Sequence, residues 1–278
     1  MRVKSIGLAL IGALVAVGCK KDDGPFFAPQ VPLAYTRFIN AVPDTGSMDF
    51  RFIDYLEYSP FAVQATFKSF TPYQGTAPGS RHLRVFTNPG GSPTLGDVTQ
   101  ILLDEQLTFE ANKYYTIIAV GNSRPGSSPG LVLQVYEDPI PDAGSNVAYR
   151  VVNLATGLGD VNVSLTATST AAIPASPDFA NVAYLGQSAY LTKATGAQWF
   201  RVQLTTSATE IVSGNGRQAP AGTAGDPLNQ LTTIGGSGQA GSVVTGFVFP
   251  RSVAGSKAPQ GTANASPAVL FVVDKHPR

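Results

Sequence analysis

After residue 33 the apolar positions of the chain either alternate with polar ones or run unbroken over short stretches. Met48–Ile53 and His82–Phe86 alternate, while Tyr114–Val120 and Leu131–Tyr136 are nearly continuous. Both patterns predict β-strands. Clusters of Gly, Pro, Asn and Asp separate the runs, as at Asn88–Gly91, Gly121–Gly126 and Gly214–Gly216. No stretch beyond the amino-terminal segment sustains the i, i+3, i+4, i+7 spacing of an amphipathic helix. The expectation is an all-β chain of antiparallel β-sandwiches with Ig-like, Greek-key connections, a small barrel being the alternative.

The pattern also repeats. Arg37–Phe52 aligns with Arg150–Leu165 without a gap, so that Arg37, Asn40 and Gly46 recur as Arg150, Asn153 and Gly159. After a four-residue insertion Phe67 and Tyr73 match Tyr184 and Tyr190, and Leu133–Asp138 matches Val269–Asp274. Units of this length are too long for a solenoid and predict two related globular domains. The boundaries that follow are 34–140 and 146–278, joined by a linker at 141–145.

The amino terminus follows a different grammar. Arg2 and Lys4 precede an apolar run from Ile6 to Val17, with Gly18 before Cys19. The run is shorter than the roughly twenty residues that a bilayer span needs, and it predicts a cleaved signal peptide over 1–18. Ala16-Val17-Gly18-Cys19 resembles the bacterial lipobox, in which the cysteine carries the lipid. Lipidation at Cys19 predicts a membrane partner through that lipid, with residues 19–33 as tether. Cys19 is the only cysteine in the chain, which excludes an internal disulfide. Lys20-Lys21-Asp22-Asp23 resembles the sequence that some Bacteroidota lipoproteins use for surface export.

The Arg37–Asp44 opening, Ala183-Tyr184 with Tyr190, the Gly before Arg-Val and the Asn112–Gly121 strand resemble the family called domain of unknown function 4397. The resemblance covers nearly the whole of the chain after the tether and loosens at Gln218–Ser242, which is expanded and Gly-rich. It implies a β-sandwich and carries no activity or catalytic residue.

Composition narrows the partners. Nineteen Lys and Arg stand against 18 Asp and Glu in 278 residues, and removal of 1–18 takes away Arg2 and Lys4, leaving a formal charge of −1. Nucleic acid is thereby excluded as an expected partner. Gly and Pro number 29 and 21, a turn-rich content below that of low-complexity chains.

Candidate chemistry is sparse. Gly126–Gly130 places Ser128 in a nucleophile-elbow pattern, but Pro129 lacks the N–H that an oxyanion hole takes from that position. Gly236–Gly241 fits a dinucleotide fingerprint but precedes a strand instead of a helix. His82 reads as an outward strand residue and His276 as a mobile terminal one. Asp104-Glu105 and Glu137-Asp138 read as solvated acids, and no histidine has acids at metal-ligand spacing. Arg37, Arg150, Asn40 and Asn153 read as residues that secure turns. Tyr55, Tyr58 and Phe61 lie in an irregular stretch where rings pack beside the core or form a contact surface. No catalytic, cofactor or metal residue is expected. The reading that follows is a non-enzymatic, lipid-anchored bacterial envelope protein, placed at the outer membrane, with two modules for binding, adhesion or envelope organisation and a protein or glycan ligand. A carbohydrate-active hydrolase using paired carboxylates is the alternative.

Overall fold

The structure is a computed structural model and describes residues 31–88, 100–212, 214 and 217–277. The expected signal peptide over 1–18, Cys19 and most of the expected tether lie outside the described residues. The first half of the fold contains β1 (Ala34–Ala41), β2 (Met48–Phe52), β3 (Phe61–Ala65), β4 (Ser69–Phe70), β5 (Gln74–Thr76), β6 (Gly79–Thr87), β7 (Ile101–Phe109), β8 (Tyr114–Val120) and β9 (Val132–Glu137). The second contains β10 (Val147–Asn153), β11 (Val161–Thr166), β12 (Phe179–Val182), β13 (Leu191–Lys193), β14 (Trp199–Leu204), β15 (Val243–Phe249) and β16 (Ala268–Lys275). Among the described residues the helical elements are short 3-10 turns, and no helix is long and apolar enough to cross a membrane.

Each half sets one sheet against another. In the first, β4-β1-β8-β9, with β5 also on β1, faces β3-β2-β6-β7; in the second, β13-β10-β15-β16 faces β12-β11-β14. Phe38 and Ile117 of one sheet pack against Phe50, Leu83 and Val85 of the other, and Tyr149, Val151 and Val244 against Val163, Phe200 and Val202. The sheet pairing departs from the antiparallel expectation at one place in each half. β1 lies parallel to β8, with Arg37 beside Thr116, and β10 lies parallel to β15, with Arg150 beside Thr245. The physical reason is the crossover: the chain visits the opposite sheet between β1 and β8, so the hairpin constraint that forces antiparallel neighbours is absent.

The parallel pairs are buried on both faces, which explains their unbroken apolar sequence. Alternate residues of β1 and β8 point away from their own core, so Ile39, Ala41, Ile118 and Val120 meet Val152, Leu154, Phe247 and Phe249 of the second half. Leu33–Arg278 is in consequence one compact unit. The same period of two places Arg37 and Thr116 on this joining face, and Arg150 and Thr245 opposite them.

Candidate functional site

The joining face ends in a cluster of charges sealed from solvent. Arg37 Nη1 lies 2.7 Å from Asp274 Oδ1, and Arg150 Nη2 lies 2.6 Å from Asp138 Oδ1. Each pair therefore runs from one half to the other. Arg37 Nε donates to Thr116 Oγ1 at 2.7 Å, and that hydroxyl donates to Asp138 Oδ2 at 2.5 Å. In the second half Arg150 Nε donates to Thr245 Oγ1 at 3.1 Å, and Thr245 donates to Asp274 Oδ2 at 2.5 Å. Tyr73 and Tyr190 complete the pattern: their hydroxyls donate to Asp138 and Asp274 at 2.8 and 3.3 Å, and their rings lie 4.5 and 4.9 Å from the guanidinium carbons of Arg37 and Arg150.

Burial alone would lower the Arg37 pKa, but the Asp274 carboxylate, with Tyr73 and Asp138, outweighs it and raises the value. Burial likewise pushes Tyr73 and Tyr190 upward, so both phenols stay protonated and act as donors. All four charged side chains are at most 2% exposed. Asp138 and Asp274 converge as a hydrolase pair would, yet two guanidiniums share them and solvent does not reach them. Such a cluster ties the two halves together through their buried charges.

This corrects two sequence expectations. Asp138 is a buried ion-pair partner and not a solvated acid, whereas its neighbour Glu137 is exposed and reaches Lys113 at 3.1 Å. Arg37 and Arg150 bridge the halves instead of securing turns. The asparagines do secure turns. Asn40 donates to Ala65 O and accepts from Val42 N–H, while Asn153 donates to both Gly159 O and Val182 O and accepts from Ala155 N–H.

The remaining candidates are dispersed. His82 projects from β6 and pairs with Asp104 on β7, which also accepts from Arg84 Nε at 2.9 Å. Its outward position matches the expectation; Asp104 is a mid-strand ion-pair partner. His276 is held, contrary to the expectation of mobility, because its Nδ1 accepts from Gly235 N–H at 2.7 Å. Ser128 lies in a loop between β8 and β9, and Gly236–Gly241 forms turns that lead into β15. Among the described residues no three metal-ligating side chains come together.

The most unusual surface lies on the first half. Ile53, Tyr55, Leu56, Tyr58, Phe61, Val63 and Phe70 are each at least 42% exposed, and Leu56 is 98% exposed. These rings do not pack beside the core. The segment is nevertheless ordered from beneath by Arg81, which is 2% exposed. Its guanidinium donates to the carbonyls of Tyr55 and Tyr58, to Ser59 Oγ and to Asp54 Oδ1, each at 3.3 Å, and sits 4.5 Å from the Phe52 ring centroid. Asp54 is partly buried, which would raise its pKa, but the His82 N–H and the Arg81 charge together lower it. A buried arginine beneath a shelf of exposed rings was not legible in the sequence, although Arg81 shares the inward phase of Leu83 and Val85.

A cavity of about 800 Å³ opens beside the joining face, and Tyr114, Asp142, Gly241, Lys275 and His276 are among the residues that line it. Lys275 Nζ lies 3.5 Å from Asp142 Oδ1 at its rim. Residues 34–164 match a family model described as a domain of unknown function (DUF4397). That match begins at β1 and runs through the first half into β11 of the second. No curated protein matches the chain.

Proposed function

We propose, from the DUF4397 match and the geometry above, that the chain is a non-enzymatic binding protein of a bacterial cell envelope. It is held to the outer membrane by lipid on Cys19, and its two halves act as tandem Ig-like sandwiches. The observation that carries this reading is the shelf of Tyr55, Leu56, Tyr58 and Phe61, because apolar rings kept in water by a purpose-placed buried arginine form a contact surface. Exposed aromatic rings suit the faces of sugar rings and the apolar spots of a protein partner. The acids that a hydrolase would use, Asp138 and Asp274, are paired and sealed, which favours binding over hydrolysis. The test is a glycan array probed with the chain from residue 20 onward, beside the same chain carrying Tyr55→Ala, Tyr58→Ala and Phe61→Ala. Binding to a set of glycans that the triple variant loses supports the shelf. Glycan binding that survives the triple variant removes it, and a flat response removes the glycan half of the proposal.

A further inference from the structure

The segment between β14 and β15 holds a second exposed apolar feature, of a different build. Thr223 and Ile234 exchange two backbone hydrogen bonds at 2.9 Å, and Asp226 and Leu231 exchange two more at the same distance. They form a narrow ribbon whose tip is the 3-10 turn Pro227–Asn229. Leu228, Leu231 and Ile234 are 94%, 62% and 56% exposed and belong to no core cluster. The one charged residue of the ribbon, Asp226, is occupied in capping the turn, accepting from Leu228 N–H at 2.9 Å and from Asn229 Nδ2 at 2.6 Å. Those bonds hold its carboxyl below the usual range.

The ribbon stands on a stiff base. Gly236 N–H donates to Ser242 Oγ and Gly235 N–H to His276 Nδ1. A Cβ on Gly236 would lie 2.3 Å from Gly222 N and 2.4 Å from Pro220 O, a backbone approach that only glycine permits. The direction of the tip is thus set by the sheet beneath it. The base also borders the cavity beside the joining face, through Gly241 and Lys275–Pro277, and Tyr114 lines it too. The Tyr35 ring stacks on Tyr114 at 4.8 Å, two residues after the chain joins the unit at Leu33. The base of the ribbon and the start of β1 therefore lie near one cavity.

We propose that the ribbon tip is a lipid-bilayer contact, with Leu228, Leu231 and Ile234 entering the interfacial layer of the membrane to which the chain is tethered. This rests on the reading of Cys19 as a lipid anchor. Fourteen residues, 20–33, reach at most about 50 Å, and six residues of ribbon from Gly222 to Leu228 extend about 20 Å, within that reach. A tip with aliphatic side chains, neutral Asn, Gln and Thr neighbours and no basic residue fits an uncharged interface in preference to an electrostatic partner.

A single indole at the tip tests this. Leu228→Trp in a Trp199→Phe background is bound to phosphatidylcholine vesicles in two ways, by the native lipid on Cys19 and, in a Cys19→Ala chain, by an amino-terminal histidine tag on nickel-chelating lipid. The expected result in both is a blue-shifted emission quenched by bromine placed about 5–10 Å below the surface, with both effects lost on adding Leu231→Asp. An indole that keeps its water-like, unquenched emission on vesicle-bound chain overturns the proposal and leaves the tip to a protein or a second copy. Quenching on tagged chain, together with failure of the untagged chain to float with vesicles, sustains the tip and removes the Cys19 anchor instead. An indole at Leu56, on the shelf of the first half, is expected to stay in water.

Discussion

Arg37 of the first half pairs with Asp274 of the second at 2.7 Å, and Arg150 of the second pairs with Asp138 of the first at 2.6 Å. The exchange makes each half the counter-ion of the other. Desolvating four charges is costly, and removal of one partner strands a charge in a sealed space. Asp274→Asn is expected to destabilise the chain by about 3–5 kcal/mol, read from the denaturant midpoint. Arg37→Met with Asp274→Leu is expected to cost less than Asp274→Asn alone, since no charge is left behind. A double variant as damaging as the sum of its singles would contradict the pairing.

The two asparagines give an internal comparison. Asn153 donates to two carbonyls where Asn40 donates to one, and both accept one N–H. Asn153→Ala is therefore expected to lower stability more than Asn40→Ala, each within about 1–3 kcal/mol for buried groups left unsatisfied. Equal losses would show that the extra Gly159 bond contributes nothing measurable.

Arg81 is expected to tolerate no shortening of its fork. Arg81→Lys keeps the charge but cannot reach Asp54, Ser59 and two carbonyls together. The expected outcome is faster amide exchange over residues 54–59 with the rest of the first half protected as before. Unchanged exchange in that segment would mean that the shelf holds its own shape.

Acid is expected to weaken a third cluster. Hydrogen bonds from Arg201, outweighing partial burial, and the charge of Arg217 lower the Glu210 pKa. A carboxyl lowered in the folded state stabilises the fold above its unfolded pKa, and that contribution is lost as pH falls through the folded value. Glu210→Gln should thus flatten the acid limb of stability against pH, measured by urea midpoints from neutral into the acid range. A limb of unchanged slope would sink the assignment.

Cys19 lies outside the described residues, and its prediction stands on sequence alone. Metabolic labelling with a fatty-acid analogue is expected in the native chain and absent in Cys19→Ala; persistent labelling would refute the anchor.

Strands were legible because alternation is a local property. The pairing of β1 with β8 was not, since nothing in either run says which distant strand will lie beside it or in which direction. Burial of Asp138 is hidden from the sequence for a related reason. Next to Glu137, and beside Pro139, it looks like a strand-end acid, and only its partner Arg150 explains its place inside. A signal did exist. Asp138 and Asp274 occupy matching positions of the repeat, as do Arg37 and Arg150, and opposite charges duplicated together point to a pair. The shelf and the ribbon were hidden differently, because an aromatic or Leu-rich loop reads the same whether its side chains turn inward or out.

The swapped pairs also impose an order of events on the growing polypeptide. Arg37 is in the first strand to be made and Asp274 is in the last, so this pair closes only when the final strand is in place. Contacts of such sequence separation form slowly. Until β16 arrives, the apolar faces that Val269 and Val272 cover stay open and Arg37 has only the more distant Asp138, 3.9 Å away. The closing strand therefore works as a latch, and a chain cut short before it would be marked out by a greasy, positively charged surface for chaperones and proteases to find.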